Sequence, residues 1–72
     1  MRKLSELRVG EVGRIHAVGG DIAARLHKLG FHGGAEVTCE GRAGRGSIGA
    51  YRVRGTVVAL RRNDAESVSL WD

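Results

Sequence analysis

The sequence contains no proline, one cysteine and three aromatic residues. A single thiol cannot form an internal disulfide, so Cys39 excludes a fold stabilised by sulfur bridges and favours a reducing compartment. The longest apolar run, Val57 to Leu60, is far shorter than the roughly 20 residues of a membrane-spanning helix. The N-terminus lacks the apolar core of a signal peptide. These absences predict a cytoplasmic protein without membrane insertion.

The length of 72 residues allows a single domain, residues 1–72, with 42% hydrophobic and 28% charged residues as in ordinary folded domains. A chain of this size buries only about 60% of its unfolded surface, which leaves little apolar material for a deep pocket. None of the serines lies in a Gly-x-Ser-x-Gly motif, and the glycine-rich stretch 41–49 lacks the Walker spacing. We therefore expect neither enzymatic activity nor a cofactor.

One helix is well specified by the sequence. Asp21 follows two glycines and is predicted to cap the helix start, while Gly30 is expected to end the helix in a left-handed conformation. Phe31 is then placed to pack back on the helix. The apolar stripe of the helix consists of Ile22, Leu26 and Leu29, which recur at helical spacing.

Short strands separated by glycines are predicted for the rest of the chain. Tyr51 and Val53 are expected to point inward, with Arg52 and Arg54 on the opposite face. Imperfect alternation in the first strand predicts a bulge near Gly13. The fold class is mainly β with one short helix inserted after the first strand, as a small, partly open barrel. The strands are predicted over Glu11–Val18, Glu36–Glu40, Gly49–Arg54, Thr56–Leu60 (with Thr56, Val58 and Leu60 inward) and Ser67–Trp71, with a turn or single helical turn over 63–66.

The chain has a net charge of +4, and one long stretch of it contains basic residues without acidic ones. The segment from Gly41 to Arg62 is predicted to form one positive sector, because it contains six arginines and no acidic residue. This sector is open to three interpretations: a solvated strand face, a surface that attracts an acidic protein, or a surface that contacts the phosphates of a nucleic acid. A nucleic-acid-binding small barrel is therefore the alternative function. Stable nucleic-acid binding is not expected, since exposed aromatic platforms are lacking near it. The six residues are Arg42, Arg45, Arg52, Arg54, Arg61 and Arg62.

Potential metal ligands are few. His16, His27, His32 and Cys39 match no Cys-x2-Cys or His-x3-His spacing, so they are interpreted as surface histidines and a buried thiol. His27 and His32 flank the predicted helix end and are kept as weak metal candidates. Direct metal sensing stays open as an alternative on that basis.

Three segments resemble the ferrous iron transport protein A (FeoA) family: KLSELRVGEVGRI (3–15), GGDIAARLHKLGFHGGAEV (19–37) and YRVRGTVVALRRNDAESVSL (51–70). The resemblance covers nearly the whole chain, including a Leu-Gly-Phe helix end and a Val-Arg-Gly segment followed by Ala-Leu-Arg. It implies an SH3-like barrel that assists the membrane GTPase transporter FeoB from its cytoplasmic side. Two departures stand out: Gly33-Gly34 replaces a Pro-Gly pair, and the loop 41–49 lacks the Leu-Gly-Asp-Pro character of the family.

A docking surface for that partner is expected from the resemblance and the charge pattern together. Arginine forks suit carboxylates of an acidic protein surface. The oligomeric state is left open by the sequence. The expected partner-binding residues are Arg52, Arg54, Arg61 and Arg62, together with Gly30 and Phe31 at the helix end.

Overall fold

The computed structural model describes all residues 1–72 and contains five strands in one antiparallel sheet. The order across the sheet is β4-β3-β2-β1-β5, so strands that are consecutive in the chain from β1 to β4 are neighbours in the sheet, and β5 returns beside β1. β4 and β5 form the two edges of this sheet, and both are short, which limits the exposed edge. The prediction of a small, mainly β fold is confirmed. The strands are β1 (Val12–Val18), β2 (Glu36–Ala43), β3 (Ile48–Val53), β4 (Thr56–Arg61) and β5 (Val68–Trp71).

Several strand details differ from the sequence expectations. The register irregularity of β1 lies between Ile15 and Ala17, where β1 pairs with β5, rather than near Gly13. β2 extends beyond Glu40 and pairs with β3 up to Ala43, so only a short turn remains of the expected loop. In β4, Leu60 is buried as predicted, but Thr56 is exposed and its predicted inward orientation is wrong.

Two short helices flank the sheet, α1 (Ala23–Lys28) and α2 (Arg62–Ala65), with 3-10 turns at Leu4–Glu6 and Gly44–Gly46. The predicted Asp21 cap is wrong: the residue before α1 is Ile22, and no side chain caps the helix start. At the other end the prediction is confirmed, because Gly30 has a φ of 105°. No helix has the length and hydropathy needed to span a bilayer.

The core combines one face of the sheet with α1 and the N-terminal turn. Tyr51 and Val53 point inward as predicted, and the Cys39 thiol is buried and free. Phe31 is fully buried, and its backbone N–H donates to the Leu26 carbonyl at 3.0 Å. The helix end is therefore closed onto the core. The buried hydrophobic residues are Leu4, Leu7, Ile15, Leu26, Phe31, Val37, Cys39, Tyr51, Val53, Leu60, Ala65, Val68 and Leu70.

Arg42 ties the N-terminal segment to the sheet. Its guanidinium donates to the Ser5 carbonyl at 2.9 Å, to the Leu7 carbonyl, and to the Tyr51 hydroxyl at 3.2 Å. Burial raises the pKa of Tyr51, and the hydrogen bond from Arg42 opposes that rise. Arg42 therefore has a structural role and is not part of a free basic surface.

Candidate functional site

The basic run is divided by the fold instead of forming one sector. Arg52 Nε lies 3.0 Å from a carboxylate oxygen of Glu40, so its charge is paired on the strand face. Arg42 is engaged with backbone carbonyls, as described above. The remaining four, Arg45, Arg54, Arg61 and Arg62, form no ion pair, and they are distributed between the two ends of β3.

Both turns that flank β3 carry an arginine in a left-handed conformation. Arg45 has a φ of 57° and Arg54 a φ of 52°, and these are the only residues besides glycine with positive φ. Such a conformation costs an L-residue with a side chain roughly 1 to 2 kcal/mol. Backbone strain of this kind is retained where the surrounding structure enforces it, and it is often found at functional sites.

The β3–β4 turn consists of Arg54 and Gly55, since Val53 pairs with Thr56. With φ values of 52° and 78° at these two residues, it has the positive φ pair of a type I′ hairpin turn. Arg54 therefore does not continue the outward face of β3, and its predicted placement beside Arg52 is wrong.

Arg54 instead lies across the end of helix α1. A methyl group built on Gly30 would sit 3.2 Å from Arg54 Cδ, so the arginine stem packs directly over this glycine. Gly30 and Phe31 are both buried, which removes these two predicted contact residues from the surface. We call the exposed side chains around this point, His27, Lys28, His32 and Arg54, the helix-end surface.

The two histidines of the helix-end surface are in contact. The rings of His27 and His32 stack with centroids 5.4 Å apart and an interplanar angle of 10°. His16 lies elsewhere, edge-on to Trp71 with ring centroids 4.2 Å apart. No group of three histidine, cysteine or acidic side chains converges anywhere in the chain. The fold thus brings the two candidate ligands together without a third.

The β2–β3 turn, at the opposite end of β3, opens onto a shallow cavity of about 480 Å³. The Arg62 N–H donates to the Ser47 carbonyl at 2.9 Å and so holds the start of α2 against this turn. Sequence reasoning placed Arg61 and Arg62 in a docking surface but gave no role to Ser47 or Asn63. We call this site the arginine cavity; its lining residues are Arg45, Ser47, Ile48, Arg61, Arg62 and Asn63.

A small SH3-like barrel with two basic ends is the class that this fold and these surfaces define. The family model of the FeoA domain matches residues 2–70. The chain belongs to the FeoA family. Among curated proteins, none matches the sequence.

Solved structures agree with this assignment. The chain is similar to the FeoA protein of Chlorobium tepidum (31% identity, TM-score 0.87), with 96% of this chain and 68% of that chain covered. It is also similar to zinc-complexed FeoA of Stenotrophomonas maltophilia, described as an SH3 domain protein and a proposed ferrous iron transport activating factor (30% identity, TM-score 0.88), with 97% and 89% covered. A manganese-dependent transcriptional repressor shares the fold alone (14% identity, TM-score 0.81), with 93% and 39% covered.

Proposed function

We propose that this chain is a cytoplasmic accessory protein of ferrous iron uptake that binds the cytoplasmic part of the FeoB transporter through its helix-end surface. Membership of the FeoA family supports the iron-transport role. The Stenotrophomonas maltophilia relative, proposed to be an activating factor of ferrous iron transport, supports a partner within the transport machinery. The cytoplasmic location of this chain and the identity of FeoB as its partner are both proposed.

One observation carries the choice of surface: Arg54 packs over Gly30. This contact joins the Val-Arg-Gly and Leu-Gly-Phe segments, both of which contribute to the family resemblance. The arginine is exposed, forms no ion pair and is held at a φ of 52°. A guanidinium fixed in this way is ready to bind a carboxylate of an acidic partner with less loss of side-chain entropy.

Arg52 is a poorer contact residue than the sequence indicated. Its ion pair with Glu40 would have to open before it could bind a partner. Replacing Arg52 by glutamate would place two carboxylates side by side and disturb the strand face itself. Arg54 is therefore the residue on which the proposal is best tested.

The test is the binding of the purified chain to the immobilised soluble cytoplasmic domain of FeoB, measured by surface plasmon resonance. Arg54→Asn removes the charge and the stem while keeping a residue suited to the first position of a type I′ turn. We expect binding to weaken roughly 3- to 10-fold, mainly through the association rate, with a reduced dependence on salt. Arg8→Asn, at an exposed arginine outside both basic ends, is the matched control and should bind like the parent.

Iron uptake in a strain that depends on this protein should fall with Arg54→Asn and not with Arg8→Asn. Unchanged binding of folded Arg54→Asn would exclude the helix-end surface as the contact. Absence of any binding by the parent chain would exclude this region of FeoB as the partner.

A further inference from the structure

The arginine cavity has no part in the proposed contact with FeoB, yet it has the composition of a ligand site. Three guanidinium groups and two neutral polar side chains line it, with Ile48 as the only apolar member. No carboxylate contributes to the lining; Asp64, on the same short helix as Arg62, is not among the lining residues. Three like charges around one opening without a counter-charge repel one another, and a bound anion would relieve that repulsion.

The polar side chains of the cavity are also free. None of Arg45, Arg61 and Arg62 donates a side-chain hydrogen bond within the protein, unlike Arg2, Arg14, Arg42 and Arg52. The guanidinium groups of Arg8, Arg25 and Arg54 are free as well, but these residues do not line the cavity. The side chains of Ser47 and Asn63 likewise make no internal hydrogen bond. The donors of the cavity are therefore available to a ligand.

Backbone strain at the cavity is a second, independent observation. Arg45 stands between Gly44 and Gly46, and all three have positive φ, at 58°, 57° and 88°. A glycine or asparagine would fit the central position at lower cost. Arg45 in this conformation lines the cavity together with two arginines from β4 and α2.

We infer that the arginine cavity binds a small oxyanion of the phosphate class that carries at least two negative charges. Guanidinium groups bind phosphate oxygens bidentately, and the Ser47 hydroxyl and Asn63 amide can donate to the remaining oxygens. The phosphate can be free, as in pyrophosphate, or part of a lipid headgroup, because both present the same chemistry.

A polynucleotide fits the surface less well. Tracking a strand requires a continuous basic groove with aromatic side chains on which bases stack. Here Arg52 is paired, Arg42 points to backbone carbonyls, and Tyr51 is buried. The three free arginines thus form an isolated site, sized for one or two phosphate groups.

Calorimetric titration of the full chain with sodium pyrophosphate at low salt tests the inference. We expect saturable binding with a Kd on the order of 0.1 to 1 mM, as for a few charge-assisted contacts at an open site. Arg61→Gln should weaken binding about tenfold, and Arg45→Gly should do the same while relieving backbone strain. Arg8→Gln carries the same loss of charge away from the cavity and should leave the Kd within about twofold of the parent.

A vesicle-binding experiment distinguishes a lipid headgroup from a free phosphate. Sedimentation with phosphatidylcholine vesicles that contain phosphatidic acid, lost with Arg61→Gln, would support the site and assign it to a lipid headgroup even if pyrophosphate does not bind. Equal weakening by Arg61→Gln and Arg8→Gln would overturn the inference as non-specific charge attraction. Absence of binding to both probes, or tighter binding to a single-stranded RNA that depends on Arg52, would also overturn it. None of these readouts involves FeoB, so the outcome is separate from that of the docking proposal.

Discussion

The two turns that flank β3 both contain an arginine in a left-handed conformation, but they differ in what surrounds its side chain. Each has an arginine at positive φ next to glycine, and each therefore carries strain that glycine or asparagine would avoid. At the β3–β4 turn the Arg54 stem packs over Gly30, so the strained residue gains contact with the helix end. At the β2–β3 turn the Arg45 side chain is exposed and lines the open arginine cavity.

This difference separates a structural contribution from a purely functional one. Packing of the Arg54 stem offsets part of its backbone cost, because long cationic side chains bury their aliphatic portion against neighbouring surface. The exposed Arg45 side chain lines the arginine cavity instead, in keeping with the anion-binding role inferred for it. Substitutions at the two turns and at the glycines beside them should therefore have unequal effects on stability.

The largest effect is expected next to the β2–β3 turn, at Gly49. A methyl group built there would lie 2.6 Å from Tyr51 Cζ and would also contact the hydroxyl. The ring cannot move aside cheaply, since Tyr51 is only 1% exposed and accepts a hydrogen bond from Arg42. Gly49→Val should destabilise the protein by roughly 3 kcal/mol, at the upper end of overpacking costs.

Thermal or urea unfolding measures this change. Gly41→Val is the control, because Gly41 lies on the neighbouring strand and has no atom within 4 Å of a built methyl group. Equal losses in the two variants would show that the Tyr51 contact is not the cause, and that valine is simply disfavoured in this hairpin.

The second largest effect is expected at the other turn, where Gly30→Val should destabilise by roughly 1 to 3 kcal/mol. The φ of 105° disfavours a β-branched residue, and the new side chain would press on Arg54 Cδ. Gly34→Val measures the cost of backbone strain alone, since Gly34 has a φ of 88° and a methyl group built on it has no neighbour within 4 Å. Urea midpoints that shift equally for Gly30→Val and Gly34→Val would mean that Arg54 packing contributes nothing.

Backbone conformations that depend on neighbouring residues in the chain can be predicted from the sequence, and the two turns beside β3 and the end of α1 differ in this respect. The positive φ of Gly30 follows from an apolar stripe that ends at Leu29 and a glycine directly after it, which are local signals. The turn at Gly55 is predicted by the sequence, but the inclusion of Arg54 in it is not, because arginine has no preference for positive φ. Gly55, after an alternating strand and before another, was the available sign of a two-residue hairpin.

The division of the basic run could not be read from the sequence. Arg42 is hydrogen-bonded because the fold brings the carbonyls of Ser5 and Leu7 within its reach, although both lie far away along the chain. The arginine cavity likewise needs the β2–β3 turn and the start of α2 to meet. Such tertiary contacts decide which charges stay free, and composition predicts only their number.

A smaller effect compares the two strained arginines directly. Arg45→Asn should stabilise the protein by about 0.5 to 1 kcal/mol, since asparagine tolerates the left-handed conformation better. Arg54→Asn should be closer to neutral, because the same backbone gain is offset by the lost packing on Gly30. Chemical denaturation of both variants beside the parent gives the difference. Stabilisation of Arg54→Asn equal to that of Arg45→Asn would contradict the packing role of the Arg54 stem.

The smallest effect concerns zinc or ferrous iron at the helix-end surface. His27 and His32 stack with centroids 5.4 Å apart, but no third ligand joins them, and Arg54 and Lys28 add positive charge nearby. Structural zinc sites use four ligands, so we expect only weak binding to exposed imidazoles, above about 1 µM in Kd. Competition with a chromophoric chelator measures it, with His16→Ala as the control because that ring packs on Trp71. Stoichiometric submicromolar binding that is lost in His27→Ala or His32→Ala, but kept in His16→Ala, would show that the stacked pair recruits further ligands and that the helix-end surface is a metal site.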